Sequence, residues 1–194
     1  MKNKSLKMLI AFMFLCFYFT NCKKAITPAP DVVTPPSEVD KLPATTQTGA
    51  NTIGCLVNGV AWLPNGVNPQ TGGPNIKVTV NPNMQGGIIY VTAYQFNSPT
   101  SQLTFGSTSF TGTGIYNISQ SPQTVSYGRF LSNGSFCEVS DVYPNTYLKG
   151  AFNLTKYDLA NGIFAGTFEF KLFNSTSNCG DTIRFTNGRF DTKL

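Results

Sequence analysis

The sequence predicts an all-β chain: a single antiparallel β-sandwich or barrel-like domain of about nine or ten strands behind a lipoprotein signal and a proline-rich linker. Three observations carry this. No window after residue 48 keeps a 3.6-residue apolar period, whereas several alternate with period two. The segments between those windows are turn chemistry, rich in Asn, Gly and Asp. Aromatic residues make up 13% of the chain and charged residues only 12%, about half the usual charged share.

Taken in order, the chain opens with "MKNKSLK", a basic stretch, followed by the apolar "MLIAFMFLCFYF" over residues 8–19. At ~1.5 Å rise per residue a dozen helical residues fall short of a ~30 Å hydrocarbon core, so residues 1–21 read as a signal peptide and not as a membrane span. "YFTNC" has no A-x-A cleavage pattern. It resembles a bacterial lipobox, with Phe19 where Leu is usual and Asn21 where a small residue is usual. On that resemblance Cys22 receives diacylglycerol on its sulfur and becomes the new N-terminus, and the two or three acyl chains of a mature lipoprotein hold the membrane stably. Residues 22–47 then carry Pro28, Pro30, Pro35, Pro36 and Pro43 with little to bury, which predicts an extended, disordered tether reaching on the order of 60 Å.

The domain is expected over residues 48–194. "TIGCLV" reads as an apolar strand ending in the turn residues "NGV". "IKVTV" puts Ile76, Val78 and Val80 on one face, and "NPNMQGG" turns the chain into "IIYVTAY". "YLKGAFNLTK" buries Leu148, Phe152 and Leu154, and "YDLANG" connects it to "IFAGTFEFKLF", which buries Phe164, Phe168, Phe170 and Leu172 and leaves Thr167, Glu169 and Lys171 outside. In "DTIRFTNGRFD" the apolar parity slips between Phe185 and Phe190, predicting a bulge or tight turn at Asn187-Gly188.

Composition also narrows function. Of the formal charge of +5, the stretch before residue 45 supplies the larger part, and the later Lys and Arg residues are scattered in sequence, against nucleic-acid binding. Histidine is absent, which removes Ser-His-Asp and Cys-His catalysis and His-containing zinc sites. The acids of the body are Glu138, Asp141, Asp158, Glu169, Asp181 and Asp191. Glu138 and Asp141 read as strand-end and loop residues. Asp158 with Asn161 and Gly162 falls short of a calcium ligand set and reads as a turn. No catalytic residue, metal or cofactor is expected, and the chain is not expected to be an enzyme.

Cys55, Cys137 and Cys179 follow the anchor, allowing one disulfide and three pairings. Cys137 with Cys179 is favoured because both sit near loop signals. That bridge would close a loop of roughly 40 residues and contribute about 3–4 kcal/mol in the chain-entropy model. Cys55 then behaves as a small buried hydrophobe. Trp62 in "AWLP" is a candidate stacking platform for sugar, with Tyr90, Tyr94, Tyr127, Tyr143 and Tyr147 as partners, the alternative being a core tryptophan.

"TGANTIGCLVNGVAWLP" over residues 48–64, "GTFEFKLFN" and "CGDTIRFTNGRFD" together resemble a family of Bacteroidota lipoproteins built on one domain of unknown function, over nearly all of the body. "GDTI" followed by "GRFD" is the most specific part. The resemblance implies a Gram-negative envelope lipoprotein and brings no activity, ligand or catalytic residue. Surface-exported lipoproteins of that phylum tend to carry acids after the anchor cysteine, and Lys23 and Lys24 depart from this. A periplasm-facing position at the outer membrane is therefore expected, surface display being the alternative. "DTI" at 181–183 resembles the O-glycosylation signal of the same phylum, with Thr182 as acceptor. The functional expectation is a non-enzymatic binding or scaffolding role, with the lipid-anchored membrane and an envelope protein or glycan as partners. The second reading is a carbohydrate- or peptide-binding module for nutrient uptake.

Overall fold

The computed structural model describes residues 37–84, 86–97, 100–121, 124–125, 128–132, 135–139, 146–174 and 182–194, with backbone course alone for the strand residues 119–139, 146–147 and 174 among them. The signal peptide, Cys22, the tether through residue 36, Cys179 and the Cys137 side chain lie outside the described residues.

The described chain is all β apart from a 3₁₀ turn at Glu38–Lys41. The strands are β1 (Thr52–Val57), β2 (Val60–Trp62), β3 (Ile76–Asn81), β4 (Ile88–Gln95), β5 (Ser101–Ser107), β6 (Gly114–Ser121), β7 (Thr124–Val125), β8 (Gly128–Ser132), β9 (Ser135–Val139), β10 (Thr146–Asp158), β11 (Ile163–Asn174) and β12 (Ile183–Lys193). Two of them, β2 and β7, have only three and two residues. The remainder agree with the expected nine or ten. One sheet runs β2-β1-β12-β11-β10-β6-β7 and the other β3-β4-β5-β8-β9, and every strand pairing is antiparallel. Both sheets stay open, so the architecture is a sandwich and not a closed barrel.

Side-chain alternation explains how the two layers meet. Leu148, Phe152 and Leu154 of β10 and Phe164, Phe168, Phe170 and Leu172 of β11 are buried, while Glu169 and Lys171 are exposed. From the opposite sheet, Phe105 of β5 inserts among Phe152, Phe168, Phe170 and Phe190, with ring centroids between 4.3 and 5.9 Å away. Fully burying one such ring is worth about 1.5–3 kcal/mol, which makes this aromatic cluster the centre of the fold.

Two local predictions hold in detail. Asn58 and Gly59 join β1 to β2 with φ of 51° and 86°, the positive values that a two-residue type I′ hairpin requires. In β12, Phe168 opposes Gly188 while Phe170 opposes Phe185, so Glu169 faces both Thr186 and Asn187. Asn187 takes the bulge with φ 52°, and the extra residue returns Phe190 to the core side.

The tether boundary needs correction. Residues 37–47 pack on the domain, and the compact unit begins at Pro36 instead of residue 48. Glu38 Oε2 accepts the Ala61 N–H at 2.8 Å, Leu42 is buried, and Arg189 Nη1 donates to the Pro43 carbonyl at 3.2 Å. Gly54 makes room for this segment, because a Cβ there would lie 2.8 Å from Pro43 Cδ and 2.7 Å from Leu63 Cδ2. Local composition could not reveal these contacts: residues far along the chain satisfy the segment's polar groups.

Candidate ligand-binding face

The outward face of the seven-stranded sheet is built from three rows of side chains that run across adjacent strands. The first row is Ile115, Asn153, Thr167 and Arg189, contributed in register by β6, β10, β11 and β12. The second is Asn117, Ala151 and Glu169, ending at the bulge of β12. The third is Lys149, Lys171 and Arg184 on β10, β11 and β12. Each residue sits one position away from a residue buried in the core or, for Ile115, from Tyr116 packed against it, so period-two alternation turns all of them outward.

Two recesses of about 490 and 470 Å³ open on this face, and they share Ala151 and Glu169 in their walls. The first is also lined by Thr45, Ile115, Asn153 and Asn187, and the second by Asn117, Lys149, Gly150 and Lys171. Ala151 is small where the outward side chains around it are long, which leaves a trough at the middle of the face. Ile115 stands 71% exposed at its β6 side. On the β12 side the docked segment forms a rim: Arg189, held by Pro43, lies beside Thr45. Polar amides, an apolar anchor and flanking charges on a rigid sheet can hold a chain-like polar ligand.

Trp62 does not belong to this face. It is only 6% exposed, and its indole N–H donates to Ser101 Oγ at 2.8 Å. Ser101 Oγ donates in turn to Gln95 Oε1 at 2.7 Å. The stacking-platform expectation is therefore overturned: this tryptophan fills the core, where its large ring is desolvated and its one polar atom satisfied. Half-buried aromatics do occur on β4 and just beyond it, where Tyr94 and Phe96 stack with centroids 5.1 Å apart. Burial pushes the Tyr90 phenol above its ordinary value. Tyr127 and Tyr143 lie outside the described residues, as does the side chain of Tyr147.

Thr182 directly precedes β12 and is half-buried, while Arg184 is exposed; Asp181 lies outside the described residues. Cys55 is a free thiol buried in the core, and burial pushes it up to about 12. Asp158 makes the expected turn: its carboxylate accepts the Asn161 side-chain amide at 2.9 Å and the Asn161 backbone N–H at 3.1 Å, with Lys156 3.4 Å away. The Asn161 contacts, followed by Lys156, hold it below the usual carboxylate range. Glu138 and Asp141 fall outside the described side chains. Among the described residues no group of three or more acidic, cysteine or histidine side chains gathers as a metal site.

Asp191 has a role that local sequence reading missed. It is 1% exposed on β12, and its carboxylate accepts Thr46 Oγ1 at 2.6 Å, the Thr48 N–H at 2.9 Å, Thr48 Oγ1 at 3.3 Å and the Gly49 N–H at 2.7 Å. Burial pushes the carboxyl up, but hydrogen bonds from Thr46 and from the Thr48, Gly49 and Ala50 backbone outweigh it and leave the group below its ordinary value. This carboxylate clasps the docked segment to β12. Lys149, Lys171, Arg184 and Arg189, the cations around the two recesses, were also missed as a group. Their outward parity is legible strand by strand, whereas their convergence depends on the register of β10, β11 and β12. No family model, curated protein or solved structure matches this chain.

Proposed function

We propose that this chain is a non-enzymatic, lipid-anchored envelope protein whose β-sandwich binds a polar chain-like ligand in the trough on its seven-stranded sheet. The observation that carries the reading is the pair of recesses meeting at Ala151 and Glu169. A binding role is favoured over hydrolysis because Glu169 is the one described carboxylate in the trough walls, whereas glycoside hydrolysis uses a pair.

The anchor is Cys22, supported by the lipobox-like "YFTNC" at the end of the apolar leader, and the position is the outer membrane facing the periplasm, supported by Lys23 and Lys24. The disulfide is Cys137 with Cys179. Cys55 is free and buried, β9 carries Cys137 beside β11, and Cys179 follows soon after the end of β11. Thr182 is the acceptor for an O-linked sugar.

Glycan and peptide arrays probed with the purified protein test the binding reading. Ligand capture that disappears in Ala151→Arg, with the melting temperature unchanged, supports it. Capture indifferent to Ala151→Arg, or none on either array, overturns it.

A further inference from the structure

Lys149, Lys171 and Arg184 are direct cross-strand neighbours: Lys149 pairs with Lys171, and Lys171 with Arg184. All three are exposed on one face. Strands in a sheet are ~4.8 Å apart, so three positive charges are mounted side by side within about 10 Å. Like charges placed directly opposite destabilise a sheet, and among the described residues no ion pair neutralises any of the three; the pairs there are Lys41 with Glu38 and Lys156 with Asp158. Arg189 adds a fourth cation two rows away on the same face, and Glu169 is the one described carboxylate in the recess walls; Asp191, further along β12, is covered by the docked segment.

From this arrangement we infer that the trough takes a carboxylated glycan, a chain bearing a uronic acid on each residue, with Lys149, Lys171 and Arg184 meeting successive carboxylates. The inference rests on the trough being the binding site. Cations repeating at every strand suit a ligand with one anion per unit, and the Arg184 guanidinium can grip a carboxylate through two parallel hydrogen bonds. In the adjoining rows Asn153 and Asn187 offer amides, and Glu169 an acceptor, for sugar hydroxyls. A bilayer surface would meet the cations but not the amides of the recess. Single-stranded nucleic acid is served by exposed stacking rings, whereas the trough floor is Gly150 and Ala151.

The test uses the full chain carrying Cys22→Ser, so that no acyl group contributes, and fluorescence polarisation with labelled oligogalacturonate, oligomannuronate and the methyl ester of oligogalacturonate. The expected result is binding of at least one free acid, at least tenfold weaker binding of the ester, and weakening with added salt. Lys171→Gln should weaken acid binding by roughly threefold, the scale of one exposed ion pair, and Lys149→Gln, Lys171→Gln and Arg184→Gln combined should abolish it. Equal binding of acid and ester, lost in Ala151→Arg, overturns the charge inference while the trough reading stands. Absence of binding to every saccharide overturns the inference, and the trough reading falls with it only if nothing on the arrays depends on Ala151. Retention on phosphatidylglycerol vesicles without saccharide binding overturns it in favour of lipid headgroups.

Discussion

Phe105 and Phe168 face each other across the two layers of the sandwich with ring centroids 4.3 Å apart. Both are buried, and Phe105 also touches Phe152, Phe170 and Phe190. Replacing Phe105 by Ala removes the ring that joins one layer to four rings of the other. We expect Phe105→Ala to cost about 3–5 kcal/mol in urea unfolding, with an unchanged m-value. A loss below about 1 kcal/mol would mean the sheets are not held together at this point.

The Asp191 clasp predicts a specific pH dependence. Its carboxyl lies below its ordinary value in the folded protein, so the stabilisation is present above the unfolded value of about 3.9 and is lost as pH falls through the folded value. Asp191→Ala leaves several donors of residues 46–50 without their acceptor and should cost about 3 kcal/mol at pH 7. The difference from the parent protein should shrink steadily below pH 4. Melting curves of both proteins between pH 2 and 7 check this, and a gap that widens on acidification contradicts the assignment.

Cys55 should be inert in the native state. Its thiol is buried and pushed up to about 12, so at pH 8 it is neither ionised nor reachable. Iodoacetamide followed by peptide mass mapping should leave the Cys55 peptide unmodified in the folded protein and fully alkylated in guanidinium. Modification of that peptide under native conditions would show the strand to be open.

Trp62 is held in the core by a buried hydroxyl. Ser101→Ala removes the acceptor of its buried indole N–H, a change expected to cost about 1–3 kcal/mol. Native fluorescence should resist acrylamide quenching in both proteins. Strong quenching in the folded parent would return Trp62 to the surface.

The bulge of β12 separates two kinds of substitution. Asn187 holds φ 52°, a region open to Gly and Asn and costly for β-branched residues. Asn187→Gly should be neutral within about 0.5 kcal/mol, and Asn187→Val should lose at least about 1–2 kcal/mol in thermal unfolding. Equal effects would argue against a left-handed residue there.

What could be read from the amino-acid string follows from the range of each interaction. The burial of Phe164, Phe168, Phe170 and Leu172, the Asn58-Gly59 hairpin and the Asn187 bulge depend on neighbours within a few positions, and all are legible. The bond from Thr46 to Asp191 spans 145 positions, so the docked segment reads locally as a proline-bearing tether. Lys149, Lys171 and Arg184 look scattered until the meander of β10, β11 and β12 sets them side by side. Trp62 could be either platform or core from its sequence neighbours, and Ser101, on a strand of the other sheet, decides between them.

The place of β12, between β1 and β11, also joins strands from opposite ends of the described domain. On its other side β1 has only the three-residue β2 beside it. The pairing of β1 with β12 joins distant parts of the chain, so it should form slowly compared with the hairpins of β10 with β11 and of β11 with β12. A chain lacking β12 would carry two open edges, on β1 and on the 12-residue β11, which are templates for pairing with other molecules.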